Sequence, residues 1–155
     1  MTRRTLLTGT LLAGVLCAGA GRAAEIRVRL VYARNQKPAS GQKIVLYLGQ
    51  PSRAYTPQMN GTTDSNGVAV FRLPTALPKA VWVYEENGHI TGCATGRLIP
   101  LAGVMSHGVV LGVDDSEPYG RACKGNRQAI KRARSEPGEI IDYVRKLGFF
   151  EKMQE

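Results

Sequence analysis

The stretch TTDSNGVAVFRLP, residues 62–74, decides how the rest of the chain is read. It sets Asp64, Ser65, Asn66 and Gly67 directly in front of an apolar run, and two readings compete for it. A calcium loop of the EF-hand kind starting at Asp64 needs oxygen donors at its first, third and fifth positions, glycine at the sixth and glutamate at the twelfth. The chain supplies Asp64 and Asn66, then Val68, Ala69 and Thr75, so that loop is missing three of its parts. The other reading is a tight reversal in which Asp64 accepts backbone N–H bonds and Gly67 supplies a positive φ. Residues 68–73, rich in β-formers and closed by Pro74, then form the second arm of a hairpin.

Working outward from this turn, short β segments recur. Ile26, Val28 and Leu30 alternate with Arg27, Arg29 and Val31, which predicts a strand with one buried face. After a turn cluster at residues 35–41, KIVLYL, residues 43–48, reads as a second strand, and residues 49–61 as a polar connection. In AVWVYEENG, Val81 and Val83 alternate with Trp82 and Tyr84, and Asn87-Gly88 predicts a hairpin back into residues 89–97. HGVVLGV, residues 107–113, is a further apolar strand. Short strands separated by Gly/Pro turns, with no long helical period, argue an all-β sandwich. Residues 126–135 favour a short helix, which Pro137-Gly138 interrupts. EIIDYVRKLGFFEKM fits both periods, since Ile140, Val144 and Leu147 suit a helix while Ile141, Tyr143 and Leu147 suit a strand. We read it as a closing strand to about Lys146 followed by a short helical tail.

The N-terminal 24 residues read as an export signal rather than structure: Arg3 and Arg4, then an apolar run from Leu6 to Leu16, then small residues. Cleavage after Ala20, Ala23 or Ala24 fits equally, and the twin-arginine and general secretory routes both remain open. Residues 25–155 are then one domain, a sandwich core over about 26–113 with a basic extension over 121–155. Losing Arg3, Arg4 and Arg22 lowers the formal charge from +9 to +6, so the exported chain stays basic. Discarding Cys17 leaves Cys93 and Cys123 in an oxidising compartment, where pairing is the default and two free thiols the alternative.

The order QKPASGQKIVLYL, TTDSNGVAVFRLP and KAVWVYEENG resembles the carboxypeptidase regulatory-like, or transthyretin-like, β-sandwich. The likeness covers about residues 26–85, with Thr63, Asp64, Gly67 and Phe71 standing at the family's T-D-x-x-G-x-x-x-F hairpin. It implies an Ig-like, Greek-key sandwich that is usually non-catalytic. Fold alone fixes no function.

Few residues suggest chemistry. His89 and His107 stand 18 positions apart, too far for the close histidine pair of sandwich iron enzymes, and no metal ligand set or cofactor is expected. A triad can be drawn from Ser106, His107 and Asp114 or Asp115, with no nucleophile-elbow signature around it; His107 is thus the candidate for the alternative reading, a small secreted hydrolase. The basic run is the stronger signal. Arg121, Lys124, Arg127, Lys131, Arg132 and Arg134 are six cations with no acid between them. On a helix, Arg127, Lys131 and Arg134 share a side, which reads either as a solvated helix face or as a contact with an anionic partner such as lipid headgroups, envelope polysaccharide or an acidic protein. Nucleic acid is not expected of an exported chain with no recognition motif. The sequence thus predicts a periplasmic or secreted module with a binding or structural role and no membrane span in its mature part.

Overall fold

The computed structural model describes residues 23–52, 56–86, 89–94, 98–112, 123 and 127–148. They form a β-sandwich. The strands are β1 (Glu25–Tyr32), β2 (Lys43–Tyr47), β3 (Gln58–Thr62), β4 (Val68–Arg72), β5 (Ala80–Glu85), β6 (Ile90–Gly92), β7 (Ile99–Pro100), β8 (Val109–Leu111) and β9 (Glu139–Lys146). Two short helices join them, α1 (Leu101–His107) and α2 (Arg127–Arg132). One sheet has the order β4-β1-β9-β6, with β8 also on β9; the other has the order β3-β2-β5-β7.

β9 organises the first sheet. It runs parallel to β1, with Arg27 opposite Glu139 and Tyr32 opposite Val144. Its other edge is shared, β8 lying parallel along Ile140 to Asp142 and β6 antiparallel along Val144 to Lys146. Between the sheets, Ile26, Val28 and Leu30 of β1, Phe71 of β4, and Ile140 and Val144 of β9 pack against Ile44, Leu46, Val81 and Val83. Each such side chain, fully buried, contributes about 1.5–3 kcal/mol. α1 closes one end of this core with Leu101 and Val104. A second, smaller cluster lies on the outer face of the first sheet. There Ile141 and Tyr143 meet Ala33, Ile130 of α2 and the Cys93–Cys123 disulfide, whose Cα atoms are 5.7 Å apart.

The reversal at residues 64–67 is tight. Asp64 Oδ1 accepts the N–H of Asn66 at 2.8 Å and of Val68 at 2.9 Å, and Gly67 has φ 75°. The expected hairpin differs in one respect. Asp64 N–H donates to the Val68 carbonyl, and then the arms part, β3 pairing with β2 and β4 pairing with β1. The turn therefore carries the chain from one sheet to the other. Buried Thr63 holds the crossing point, its hydroxyl donating to the Ala39 carbonyl at 2.7 Å and accepting the Gln42 N–H at 2.9 Å.

Three further expectations are corrected. β3 lies inside the stretch read as a polar connection; its half-buried positions, Met59 and Gly61, carry too little apolar signal to reveal a strand. Glycine is required at 61 because a Cβ there would stand 2.8 Å from Phe71 Cζ. β6 joins β9 rather than folding back on β5, because the main-chain groups along β9's free edge need partners. Residues 101–107 form α1, and the strand expected from His107 begins at Val109. The expected tail falls largely outside the described residues, as do Asn87-Gly88 and residues 1–22 of the export signal.

Two stability outcomes follow. A Cβ on Gly67 would lie 2.6 Å from the Leu30 carbonyl oxygen, on a backbone that already disfavours L-residues. Gly67→Ala should lower stability by about 1–3 kcal/mol, read as a shift of the urea midpoint at unchanged slope. Cys93→Ala with Cys123→Ala opens a loop with a sequence separation of 30 and should cost roughly 3 kcal/mol or more; an unchanged midpoint would contradict the role given to the bridge.

Candidate functional site

α2 is a short helix of six residues with one buried side chain, Ile130, which fits into the disulfide cluster. That anchor fixes the helix's rotation. Arg127 and Lys131 are exposed, and together with Arg134 just beyond the helix they line a recess of about 400 Å3 shared with Val110, Gly112, Ile130 and Ala133. Among the described residues no carboxylate lines it. Arg134 is held by its backbone contacts, Nη1 donating to the Ala133 carbonyl at 2.9 Å and the Lys131 carbonyl at 3.3 Å. The Lys131 carbonyl is among the last of α2 and Ala133 follows the helix directly, a place where a cation is also favoured by the helix dipole. The structure thus gathers Arg127, Lys131 and Arg134 around one concavity with an apolar wall. Arg121 and Lys124 lie outside the described residues.

Ser106 and His107 occupy the last turn of α1. Ser106 Oγ lies 2.8 Å from His107 Nδ1 and 3.2 Å from the Gly103 carbonyl oxygen. The hydroxyl has a single proton, so it donates to one of these acceptors at a time. Both residues are exposed, and neither lines the α2 recess or the larger groove beside Tyr32. A nucleophile and base are in reach of each other, and among the described residues neither is set in either of these two concavities, where walls would orient a substrate and exclude water. Asp114 and Asp115 lie outside the described residues. His89 is exposed, and the Cys93 sulfur is engaged in the disulfide, so it offers no thiolate to a metal. Among the described residues no group of three histidine, cysteine or acidic side chains is placed to hold a metal ion.

Two carboxylates are buried in β9. Glu139 is stabilised by Arg29, with Nη2 to Oε1 at 2.8 Å, and by the Glu136 N–H at 3.1 Å on Oε2. Among the described residues no cation pairs with Asp142. It shares the inward face of β9 with Ile140 and Val144, and burial pushes its carboxyl well above the usual carboxylate range; the Glu85 charge and a hydrogen bond with Glu85 push it the same way. A protonated Asp142 can donate a hydrogen bond to the Glu85 carboxylate, so one proton serves the pair.

Sequence reasoning missed a second group of cations. Arg34 and Lys37 follow β1, while Arg145 and Lys146 end β9, and all four line a groove of about 740 Å3. More than a hundred positions separate the two pairs. Only the parallel register of β1 and β9 brings them together, and neither run is dense enough in charge to stand out locally. No family model matches the chain, and no curated protein matches it.

The Asp142 carboxyl also sets a pH dependence. An acid whose folded pKa lies above its ordinary value of 3.8 holds its proton more tightly folded than unfolded. Its contribution is therefore fully favourable below about pH 4 and is lost as pH rises through the folded pKa. Asp142→Asn mimics the protonated acid and removes that loss, so the variant should melt above the wild type at pH 8 and lose its advantage toward pH 4. Scanning calorimetry at both pH values checks this; a variant destabilised equally at both would contradict it.

Proposed function

We propose that this chain is an exported, non-catalytic β-sandwich of the carboxypeptidase regulatory-like kind, which binds an anionic partner in the periplasm or cell envelope. The observation that carries this reading is the α2 recess, where Arg127, Lys131 and Arg134 converge beside Val110 and Ile130 with no acid among the described lining residues. Cations grouped this way repel one another, and an anion relieves the repulsion. Export is supported by the Cys93–Cys123 bridge, which belongs to oxidising compartments, and by the signal-like first 24 residues. Among the described residues no helix is long and apolar enough to cross a membrane. The likeness of the family is supported by the two-sheet sandwich and by the Asp64–Gly67 turn that links its layers. The partner is an anionic envelope component or an acidic protein surface.

The alternative, a small hydrolase, rests on the 2.8 Å approach of Ser106 Oγ to His107 Nδ1. A fluorophosphonate probe separates the two readings. The binding module should leave Ser106 unlabelled at neutral pH, whereas labelling lost in His107→Ala would establish the hydrolase.

Each cation at an anionic surface is worth ~1 kcal/mol, so three together correspond to roughly a hundredfold in affinity. Reversing Arg127, Lys131 and Arg134 to glutamate should lower sedimentation with phosphatidylglycerol vesicles by at least that factor. Wild-type binding should also weaken with salt, because exposed charges are screened over ~8 Å at physiological ionic strength. Circular dichroism should show the fold retained, since these side chains are exposed. Equal binding by the variant would remove α2 from the contact.

A further inference from the structure

The groove at the ends of β1 and β9 is larger than the α2 recess and is built differently. Its floor includes Ala33 and Val144, joined by the Ala33 N–H to Val144 carbonyl bond at 2.9 Å. One wall is the reversal over residues 32–37. Gln36 N–H donates to the Tyr32 carbonyl at 2.8 Å, and Tyr32 N–H donates to the Lys37 carbonyl at 2.9 Å. Inside that loop the Gln36 side-chain amide donates to the Ala33 carbonyl, and Asn35 Oδ1 accepts the Lys37 N–H. Gln36 has φ 60°, and among the described residues no other non-glycine residue has a positive φ. An unfavourable backbone geometry persists only where its surroundings over-determine it, and such places recur at ligand-binding sites. The loop that presents Arg34, Asn35 and Lys37 is therefore shaped before a ligand arrives, which lowers the entropy lost on binding.

Among the described residues the charges in this groove are of one sign. Arg34, Lys37, Arg145 and Lys146 line it with no carboxylate among them, and no carboxylate among the described residues pairs with Arg34, Lys37 or Lys146. The Lys146 ammonium stands 5.5 Å from the Tyr32 ring centroid, a cation–π contact that holds it at the groove. A volume of about 740 Å3 falls within the range of small-molecule sites.

We propose that this groove binds a ligand carrying two phosphate groups. A single carboxylate would leave most of Arg34, Lys37 and Lys146 unmatched, whereas two terminal phosphate groups bring roughly three to four negative charges at neutral pH, and two diester phosphates roughly two. Guanidinium forks engage phosphate oxygens in pairs, and lysine ammonium groups add point charges. The site extends the binding-module reading to a defined ligand and uses none of the α2 residues. Phosphates reach it either on a soluble molecule or on the headgroups of neighbouring lipids, and the two sources differ in the physical state of the probe that binds.

Calorimetric titration of the full chain with inorganic pyrophosphate at low salt tests the first source, and flotation with cardiolipin vesicles the second. Saturable 1:1 binding of pyrophosphate, weakened tenfold or more by Arg34→Ala with Lys37→Ala and also by Lys146→Gln, supports a soluble ligand. Vesicle binding lost in the same variants, without pyrophosphate binding, supports a lipid source. The α2 reversal should leave pyrophosphate affinity within twofold, which separates failure of this site from failure of the α2 face. The groove variants alter exposed side chains, and unchanged circular dichroism and melting confirm that they fold. Binding of neither probe by the wild type, or binding untouched by the groove variants, would overturn the proposal.

Discussion

β9 enters the first sheet between β1 on one edge and β6 with β8 on the other, so its main-chain bonds hold together strands that contact each other little. Remove it, and β4 and β1 would remain as a two-stranded ribbon, which is marginal alone. The strand is buried on both faces along nearly its whole length. Its inward side chains complete the sandwich core, and its outward ones, Ile141 and Tyr143, underlie the disulfide and α2. A parallel pair needs a long connection, and here the whole chain between β1 and β9 is that connection.

The two carboxylates of β9 show how one strand manages buried charge in two ways. Glu139 at its start is matched by Arg29 from the neighbouring strand and by a backbone N–H. Asp142 faces the apolar core, where solvation is lost, and that burial, with Glu85 beside it, pushes its carboxyl well above the usual carboxylate range. The difference is one of face: Arg29 projects outward with the odd residues of β1, and among the described residues no guanidinium pairs with Asp142 in the core.

The same register sets out the basic surfaces. Ile130 docks α2 over Ile141 and Tyr143, which turns Arg127 and Lys131 to solvent. The far ends of β1 and β9 finish side by side, so the loop after Tyr32 and the last residues of β9 pool their cations. Two basic concavities thus stand on one sheet. The Ser106–His107 contact, by comparison, sits on an open helix end belonging to neither.

From the amino-acid order alone one obtains the all-β class, β1, β2, β4 and β5 nearly in full, the Asp64–Gly67 reversal and the Cys93–Cys123 pair, because each follows from period-two alternation, turn chemistry or a count of two. Arg127, Lys131 and Arg134 are likewise a local pattern on one short helix. Tertiary structure decided the rest. Which sheet β3, β4 and β6 join depends on free edges elsewhere, and α1 is seven residues whose two buried side chains are too few to mark a helical period. The helix–strand ambiguity of residues 139–147 has the same origin: a strand buried on both faces loses the alternation by which strands are recognised. Arg34, Lys37, Arg145 and Lys146 become one site only when β9 lies parallel to β1, a contact between residues more than a hundred positions apart that no local period encodes.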